Sequence, residues 1–312
     1  MPQPLIECVP NFSEGRRAEV VEQIVAAIRA VPGVLVLDVE SDADHNRSVV
    51  TFVGSPAAVV DGALAGMGAA QQLINLDQHQ GAHPRLGATD VVPFIPIRDA
   101  TMADCVELAR QLGQRAGEEL GIPVYLYEEA ATRPARRNLA DVRRGEYEGL
   151  KQSLGKDAAR DPDFGPTTLT PAGATAIGAR APLIAYNVYL STGDVDVAKK
   201  VAKAIRHSSG GLRFAKALGL LVDGRAQVSI NMTDFRSTPL HRVFELIRVE
   251  AARYGVLPTE SEIVGLVPED ALLDVAEHYL QLNRFKRAQV LERRLAEAEA
   301  ETPPQATTEH ES

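Results

Sequence analysis

Hydrophobic positions along the 312-residue chain follow two periods, and the periods alternate in a repeating order. Residues 5–12 read as a short apolar strand, and 16–31 carry apolar side chains at helical spacing. Residues 34–39 form a second strand, and 47–53 alternate like a strand buried on one side. Ser55-Pro56 then opens a second helix, with Ser55 as N-cap and Pro56 at the first position, running to about Ile74. Residues 89–96 supply a closing strand. The order is β-α-β-β-α-β, the split βαβ or ferredoxin-like unit, in which two helices cover one face of an antiparallel sheet.

The second half spells the same order. Residues 183–190 read as a strand and 196–207 as a helix. Strands at 212–222 and 227–232 are joined at Asp223-Gly224, a pair that favours a tight hairpin. A helix over 239–254 and a strand over 262–266 complete the set. Between the halves lie an added helix at 101–120, an added strand at 122–127 and a polar, Gly/Pro-rich connector over 130–178. Loops longer than about 12–15 residues are usually functional or disordered, and this one is read as functional. The pattern predicts an α+β chain of two ferredoxin-like subdomains with helices packed outside mixed sheets. Residues 1–178 form the first and carry a histidine-rich loop, and 179–296 form the second. Residues 297–312 are a disordered tail, where an Ala/Glu repeat gives way to Pro303-Pro304 and polar residues.

A formal net charge of -9 argues against a general nucleic-acid or membrane-surface binder, because neutralising phosphates needs a basic excess. An anionic ligand must therefore find a local basic patch. Cys8 and Cys105 are the two cysteines, no CxxC pair occurs, and a reducing cytoplasm suits that usage. Glu7 arrives early at the N-terminus, and no stretch approaches the roughly 18 uncharged apolar residues of a spanning helix, so a soluble, unexported protein is expected.

The densest chemistry lies in His79-Gln80-Gly81-Ala82-His83-Pro84-Arg85-Leu86-Gly87-Ala88-Thr89-Asp90, which crowds two imidazoles, a guanidinium and a carboxylate into a turn before an apolar strand. A loop stiffened by Pro84 and punctuated by glycines presents such groups to a ligand, and histidine shuttles protons near neutral pH. The spacing of His79 and His83 would suit a metal on a helix. Gly81 and Pro84 break that geometry, and the glutamate of a zinc-protease motif is missing, so no metal is expected. For His79, simple loop bonding competes with a chemical role. His83 is the better candidate, since a nearby guanidinium such as Arg85 favours the neutral imidazole that a general base requires.

Other segments add candidates. In Glu40-Ser41-Asp42-Ala43-Asp44-His45-Asn46-Arg47, Asp42 and Asp44 read as solvated turn residues, while Glu40 continues one strand and Arg47 begins the next, as rigid site residues do. Pro10-Asn11-Phe12-Ser13-Glu14-Gly15 is either a helix entry capped by Ser13 or the lining of a cleft, with Asn11 as its candidate. The run Gly165, Pro166, Thr167, Thr168, Leu169, Thr170, Pro171, Ala172, Gly173 and Ala174 is suited to placing backbone donors and acceptors around a flat heterocycle. Arg133, Arg136, Arg137, Arg143 and Arg144 form either a solvated helix face or a receptor for carboxylates, which arginine forks bind bidentately.

Over residues 5–295 the chain resembles the formiminotransferase domain family. The resemblance is carried by Glu7-Cys8-Val9-Pro10-Asn11-Phe12-Ser13-Glu14-Gly15, by Asn46-Arg47-Ser48-Val49-Val50-Thr51-Phe52-Val53-Gly54 and by the His79 loop with its strand. Gly145-Glu146-Tyr147-Glu148, Asp163-Phe164-Gly165-Pro166 and Gly178-Ala179-Arg180 complete it. It implies two ferredoxin-like subdomains with a folate tunnel between them, and transfer of a formimidoyl group from N-formimidoyl-L-glutamate to N5 of tetrahydrofolate. The family's catalytic histidine falls on His83, an acidic residue near the reacting atoms on Glu40, and the folate-contacting segment on residues 165–174. Asn11, Arg47, Arg85 and the arginine cluster are the implied candidates for substrate contact. The implied partners are formimidoylglutamate and mono- or polyglutamylated tetrahydrofolate. A homodimer in the cytoplasm is expected, with no metal, nucleic acid or membrane involved.

Two departures stand out. Many members carry a basic and an acidic residue where this chain has Gln80 and Ala82, which changes the charge beside His83. The chain also ends without the cyclodeaminase domain fused in animal members. The competing readings are a formyltransferase using N-formylglutamate or 5-formyltetrahydrofolate, and a non-catalytic folate-binding or assembly module. RNA binding by a ferredoxin-like fold lacks its aromatic RNP-type strands and basic surface.

Overall fold

Pro10 cannot donate to a ladder, and it divides the first apolar run into two strands, β1 (Leu5–Cys8) and β2 (Asn11–Phe12). The computed structural model describes residues 3–81 and 83–301, grouped in two units, Met1–Pro182 and Leu183–Ser312. Ala82, which with Gln80 makes up the first departure, lies outside the described residues.

In the first unit, α1 (Ala18–Arg29) follows β2 and turns Val20, Val21, Ile24, Val25 and Ile28 into the core. That face is what makes the helix stable, and cutting Ile24 or Ile28 to alanine should cost ~2–5 kcal/mol. Strands β3 (Leu35–Asp42) and β4 (Arg47–Gly54) come next, followed by α2 (Pro56–Leu73). Ser55 caps α2 by accepting from the Ala58 N–H at 3.4 Å, and Pro56 takes its first turn. Strand β5 (Thr89–Arg98) leads to α3 (Met102–Glu119), which opens with a Thr101/Asp104 capping box, and to β6 (Val124–Glu128). The connector holds more structure than its composition predicts: α4 (Leu139–Val142), α5 (Glu146–Ser153) and strand β7 (Thr175–Ala179). A buried ion pair, Arg136 Nη1 to Asp163 at 2.5 Å, pins it to the unit, and Asp163 also accepts from the Leu126 N–H at 2.8 Å.

The strands form one sheet. β1 and β2 lie between β4 and β5, all antiparallel, with β3 beyond β4. On the other side β7 joins β5 and β6 joins β7, both parallel. Helices α1, α2 and α3 share one hydrophobic core with this sheet.

The second unit runs β8 (Ile184–Leu190), α6 (Val195–Ile205), β9 (Ala215–Val222), β10 (Arg225–Met232), α7 (Leu240–Ala252), β11 (Pro258–Val264), α8 (Glu269–Tyr279) and α9 (Leu291–Glu301). Its sheet has the order β11-β8-β10-β9 and is antiparallel at every pairing. The expectation of mixed sheets therefore holds in the first unit alone, where the extra strands β6 and β7 bring parallel pairing. The β9–β10 hairpin turns at Asp223 and Gly224, both at positive φ as a tight turn of this hand requires. Helix α8 was not anticipated by the apolar pattern. Helix α9 carries residues 297–301, the start of the expected tail, and residues 302–312 lie outside the described residues. Among the described residues no helix is long and apolar enough to cross a membrane.

Candidate active site

The loop between α2 and β5 is held by three neighbours far away in sequence. Asn46, in the β3–β4 turn, takes the left-handed conformation that asparagine tolerates (φ 48°). It accepts from the Gly15 N–H at 2.9 Å through Oδ1 and donates from Nδ2 to the Gln80 carbonyl at 3.0 Å. Its own carbonyl accepts from His79 Nε2 at 3.0 Å. Gly81 sits against this turn so closely that a Cβ there would lie 2.3 Å from the His45 carbonyl oxygen.

At the far end of the loop, Ser13 does not cap α1. Its hydroxyl donates to the Gly87 carbonyl at 2.7 Å, its N–H donates to Ala88, and Glu14 takes over the helix entry by accepting from the Arg16 and Arg17 N–H groups. The third neighbour is the connector. Ala88 N–H donates to Ala172 at 2.7 Å, Ala174 N–H to Leu86 at 3.0 Å, and Thr175 Oγ1 to Thr89 at 2.8 Å. A Cβ on Gly87 would lie 2.2 Å from the Ala174 carbonyl oxygen, so two backbones meet there in a way only glycine permits. Residues 172–174 of the expected folate segment are thus buried and laced to the histidine loop, while most of 165–171 is exposed.

These constraints bring His83, Arg47, His45 and Arg143 together. Arg47 Nη1 donates to His83 Nε2 in a short contact, and the His45 ring stands edge-on to that of His83 with centroids 6.3 Å apart. His45 Nδ1 in turn lies 2.6 Å from Asp42 Oδ2. Arg143 reaches in from the end of α4 and pairs with the buried Asp90, whose other oxygen accepts from the Leu86 N–H at 2.9 Å. The Arg143 Nε is buried without a hydrogen-bond partner.

The electrostatics follow from this crowding. Burial and the cations Arg47 and Arg143 push the His83 imidazole down to about 2, so it is neutral throughout the working pH range. Arg47 is lowered by burial and by Arg143, against support from Asp90, Asp42 and Glu40, which places the Glu40 charge within reach of this group. Burial raises the Asp42 carboxyl, but the backbone and ring N–H groups of His45 outweigh it and hold Asp42 below the ordinary aspartate range.

Other expected residues sit differently. The Arg85 fork is filled by Glu146 at 2.9 Å and Glu148 at 2.7 Å, and its Nε donates to His79 Nδ1 at 3.2 Å. His79, bonded at both nitrogens and lowered by burial, works as a tether. The arginines of the connector are each engaged. Arg136 and Arg143 hold buried carboxylates, Arg137 pairs with Glu129, Arg144 with Asp141, and Arg133 donates to the Ala158 carbonyl. Asn11 is buried and donates to the Val9 carbonyl at 2.9 Å. A cavity of about 590 Å³ is lined by Asp77, Gln80, Arg85, Glu148 and Lys151 among others, and His83 is not part of its wall. No group of three or more His, Cys, Asp or Glu side chains suited to a metal ion occurs among the described residues. Asn46 and His45 were missed as site residues, and Asp90, read as a group the loop presents to a ligand, is instead buried against Arg143.

Two family models cover nearly the whole chain: the formiminotransferase domain, N-terminal subdomain, over residues 5–180, and the formiminotransferase domain over residues 185–296. A protein of Thermoplasma acidophilum named glutamate formimidoyltransferase is 55% identical over 94% of this chain and 98% of its own length. One of the same name from Streptococcus pyogenes is 48% identical over 93% and 98%. The formimidoyltransferase-cyclodeaminase of Sus scrofa is 47% identical over 89% of this chain, which matches 52% of that longer protein. With both of its halves matched in order and its length shared with the microbial relatives, the chain belongs to the formiminotransferase domain family.

Proposed function

We propose that this protein transfers the formimidoyl group of N-formimidoyl-L-glutamate to N5 of tetrahydrofolate, with His83 moving the proton. The observation that carries the reading is the His83 imidazole, held neutral by burial and two guanidiniums on a loop whose end is hydrogen-bonded to residues 172–175. N5 of the reduced pterin is a weakly basic amine, neutral at physiological pH, and attacks the amidinium carbon without prior deprotonation. The ammonium so formed must lose a proton, and a neutral imidazole accepts it; such transfers typically contribute ~10²–10⁴-fold. Arg47 covers the His83 Nε2 lone pair, so a donor carboxylate that draws Arg47 away would expose the base as the substrate arrives. Glu40, whose charge acts on Arg47, is suited to the cationic amidine. Residues 165–174 are assigned to the folate, with 172–174 as the fixed part and 165–171 as the accessible part. Alignment of the two substrates supplies much of the remaining acceleration.

The strand orders β5-β1-β4-β3 and β11-β8-β10-β9 support reading both units as ferredoxin-like subdomains. The activity belongs to the cytoplasm on this reading, and Arg85 passes from substrate contact to loop support. The test mixes purified protein with tetrahydrofolate and either formimidoylglutamate or formylglutamate, following 5-substituted folate by absorbance. Turnover with formimidoylglutamate is expected. Turnover with formylglutamate alone would move the assignment to formyl transfer, and folate binding without turnover would leave a binding module.

A further inference from the structure

The Asp42–His45 pair stands beside His83 with no part in the mechanism above. Asp42 anchors the turn that carries it: one carboxylate oxygen accepts from the Asp44 and His45 N–H groups at 2.9 Å each, and the other lies 2.6 Å from His45 Nδ1. A carboxylate only accepts, so Nδ1 carries a proton and Nε2 is left as the nitrogen that takes up or releases a second one. The ring is edge-on to His83 with centroids 6.3 Å apart, and its side chain is 41% exposed, open to bulk protons.

Two protons move in the exchange, one off N5 and one onto the glutamate nitrogen, and the second ring standing beside His83 lets each transfer have its own group. We propose that His45, held by Asp42, is the general acid that protonates the leaving glutamate nitrogen, and that His45 and His83 together form a two-histidine relay. This rests on the reading of His83 as the base. N5 bonds to the amidinium carbon and the N5 ammonium gives its proton to His83. His45 then gives its Nε2 proton to the glutamate nitrogen, and the carbon–nitrogen bond breaks with its electron pair going to that nitrogen. Glutamate leaves as an amine and the folate product as an amidinium. His83 passes its proton to His45 directly or through water, so both rings return to their starting states and no proton is gained or lost.

The charged groups around His45 come from several elements. Asp42 closes β3 two residues after Glu40, Arg47 begins β4, His83 is on the loop and Arg143 comes from the connector. Arg16, from the helix entry, donates to the adjacent Ala43 carbonyl at 2.8 Å. Asp42 is the one in direct contact.

The test uses the full chain with His45→Gln and Asp42→Asn. For His45→Gln, kcat is expected to fall by about 10- to 100-fold with both KM values near those of the parent. The decline of kcat at high pH, where the acid has lost its proton, should flatten. Imidazole added to His45→Gly should restore part of the rate. A parental kcat and an unchanged pH profile in His45→Gln, with His83→Ala inactive, would overturn the relay and leave the base intact. Parental rates in both His45→Gln and His83→Ala would remove the base as well.

Discussion

Arg47 donates to Nε2 of His83. A guanidinium has no lone pair to offer, so the imidazole is the acceptor and its proton resides on Nδ1. The same contact fixes the tautomer, disfavours the charged ring and covers the basic nitrogen. On the proposed reading, substrate recognition and release of the base would fall on one side chain.

Replacing Arg47 with methionine should therefore change two observables at once. KM for the dicarboxylate donor should rise by about 10-fold or more, the size of one charge-assisted contact. With a neighbouring cation gone, the His83 imidazole should titrate higher. A base works unprotonated, so the loss of kcat/KM on acidification should begin at a higher pH than in the parent. Rate profiles between pH 5 and 9 check this, and an unshifted acid limb would separate Arg47 from the base.

His83→Ala should lower turnover by about 10² or more while folate affinity stays near the parental value. Equal loss of both, measured by initial rates and by fluorescence titration with folate, would make the residue structural.

The same imidazole sets an acid limit on stability. Its folded value of about 2 lies below that of an exposed histidine near 6.5, so the unfolded chain takes up this proton first. The contribution is fully present above pH ~6.5 and is lost on acidification, reaching on the order of 2 kcal/mol at pH 5. His83→Ala should consequently lose less thermal stability between pH 8 and pH 5 than the parent. Parallel melting curves for the two proteins would count against a buried neutral ring.

Gly87→Ala should harm both activity and stability, because its Cβ would meet the Ala174 carbonyl 2.2 Å away and neither backbone has room to yield. Overpacking of this kind costs about 1–3 kcal/mol, and the seam between loop and connector should open first. Denaturant midpoints together with folate affinity report it. Parental folate affinity in a destabilised variant would detach residues 172–174 from the ligand.

Much of the fold was legible because local periodicity and tertiary burial agree. Helix α1 buries the face its sequence marks, Ser55 and Pro56 start α2 as their chemistry dictates, and Asp223-Gly224 turns the hairpin. Strand β7 was hidden for a physical reason: Thr175-Ala176-Ile177-Gly178-Ala179 is built of small residues, and its neighbours β5 and β6 hold it in the sheet. At the site, His83 and Arg47 stood out because charged groups crowd short segments. The partnerships did not. Ser13 meets Gly87 across 74 residues, Arg143 meets Asp90 across 53, and the carboxylates that fill Arg85 lie 61 and 63 residues on. Spacing carries no trace of such contacts, so Arg85 read as available and Asp42 as a solvated turn residue.

Asp90 has one further meaning for anyone wishing to move this chemistry elsewhere. A transplant of residues 79–87 onto a foreign scaffold would carry the imidazole but none of its holders: the carboxylate belongs to the strand that follows, the guanidinium that answers it to a helix end 53 residues later, and the asparagine clamp to a turn that comes before. The smallest portable unit is the whole sheet together with its connector.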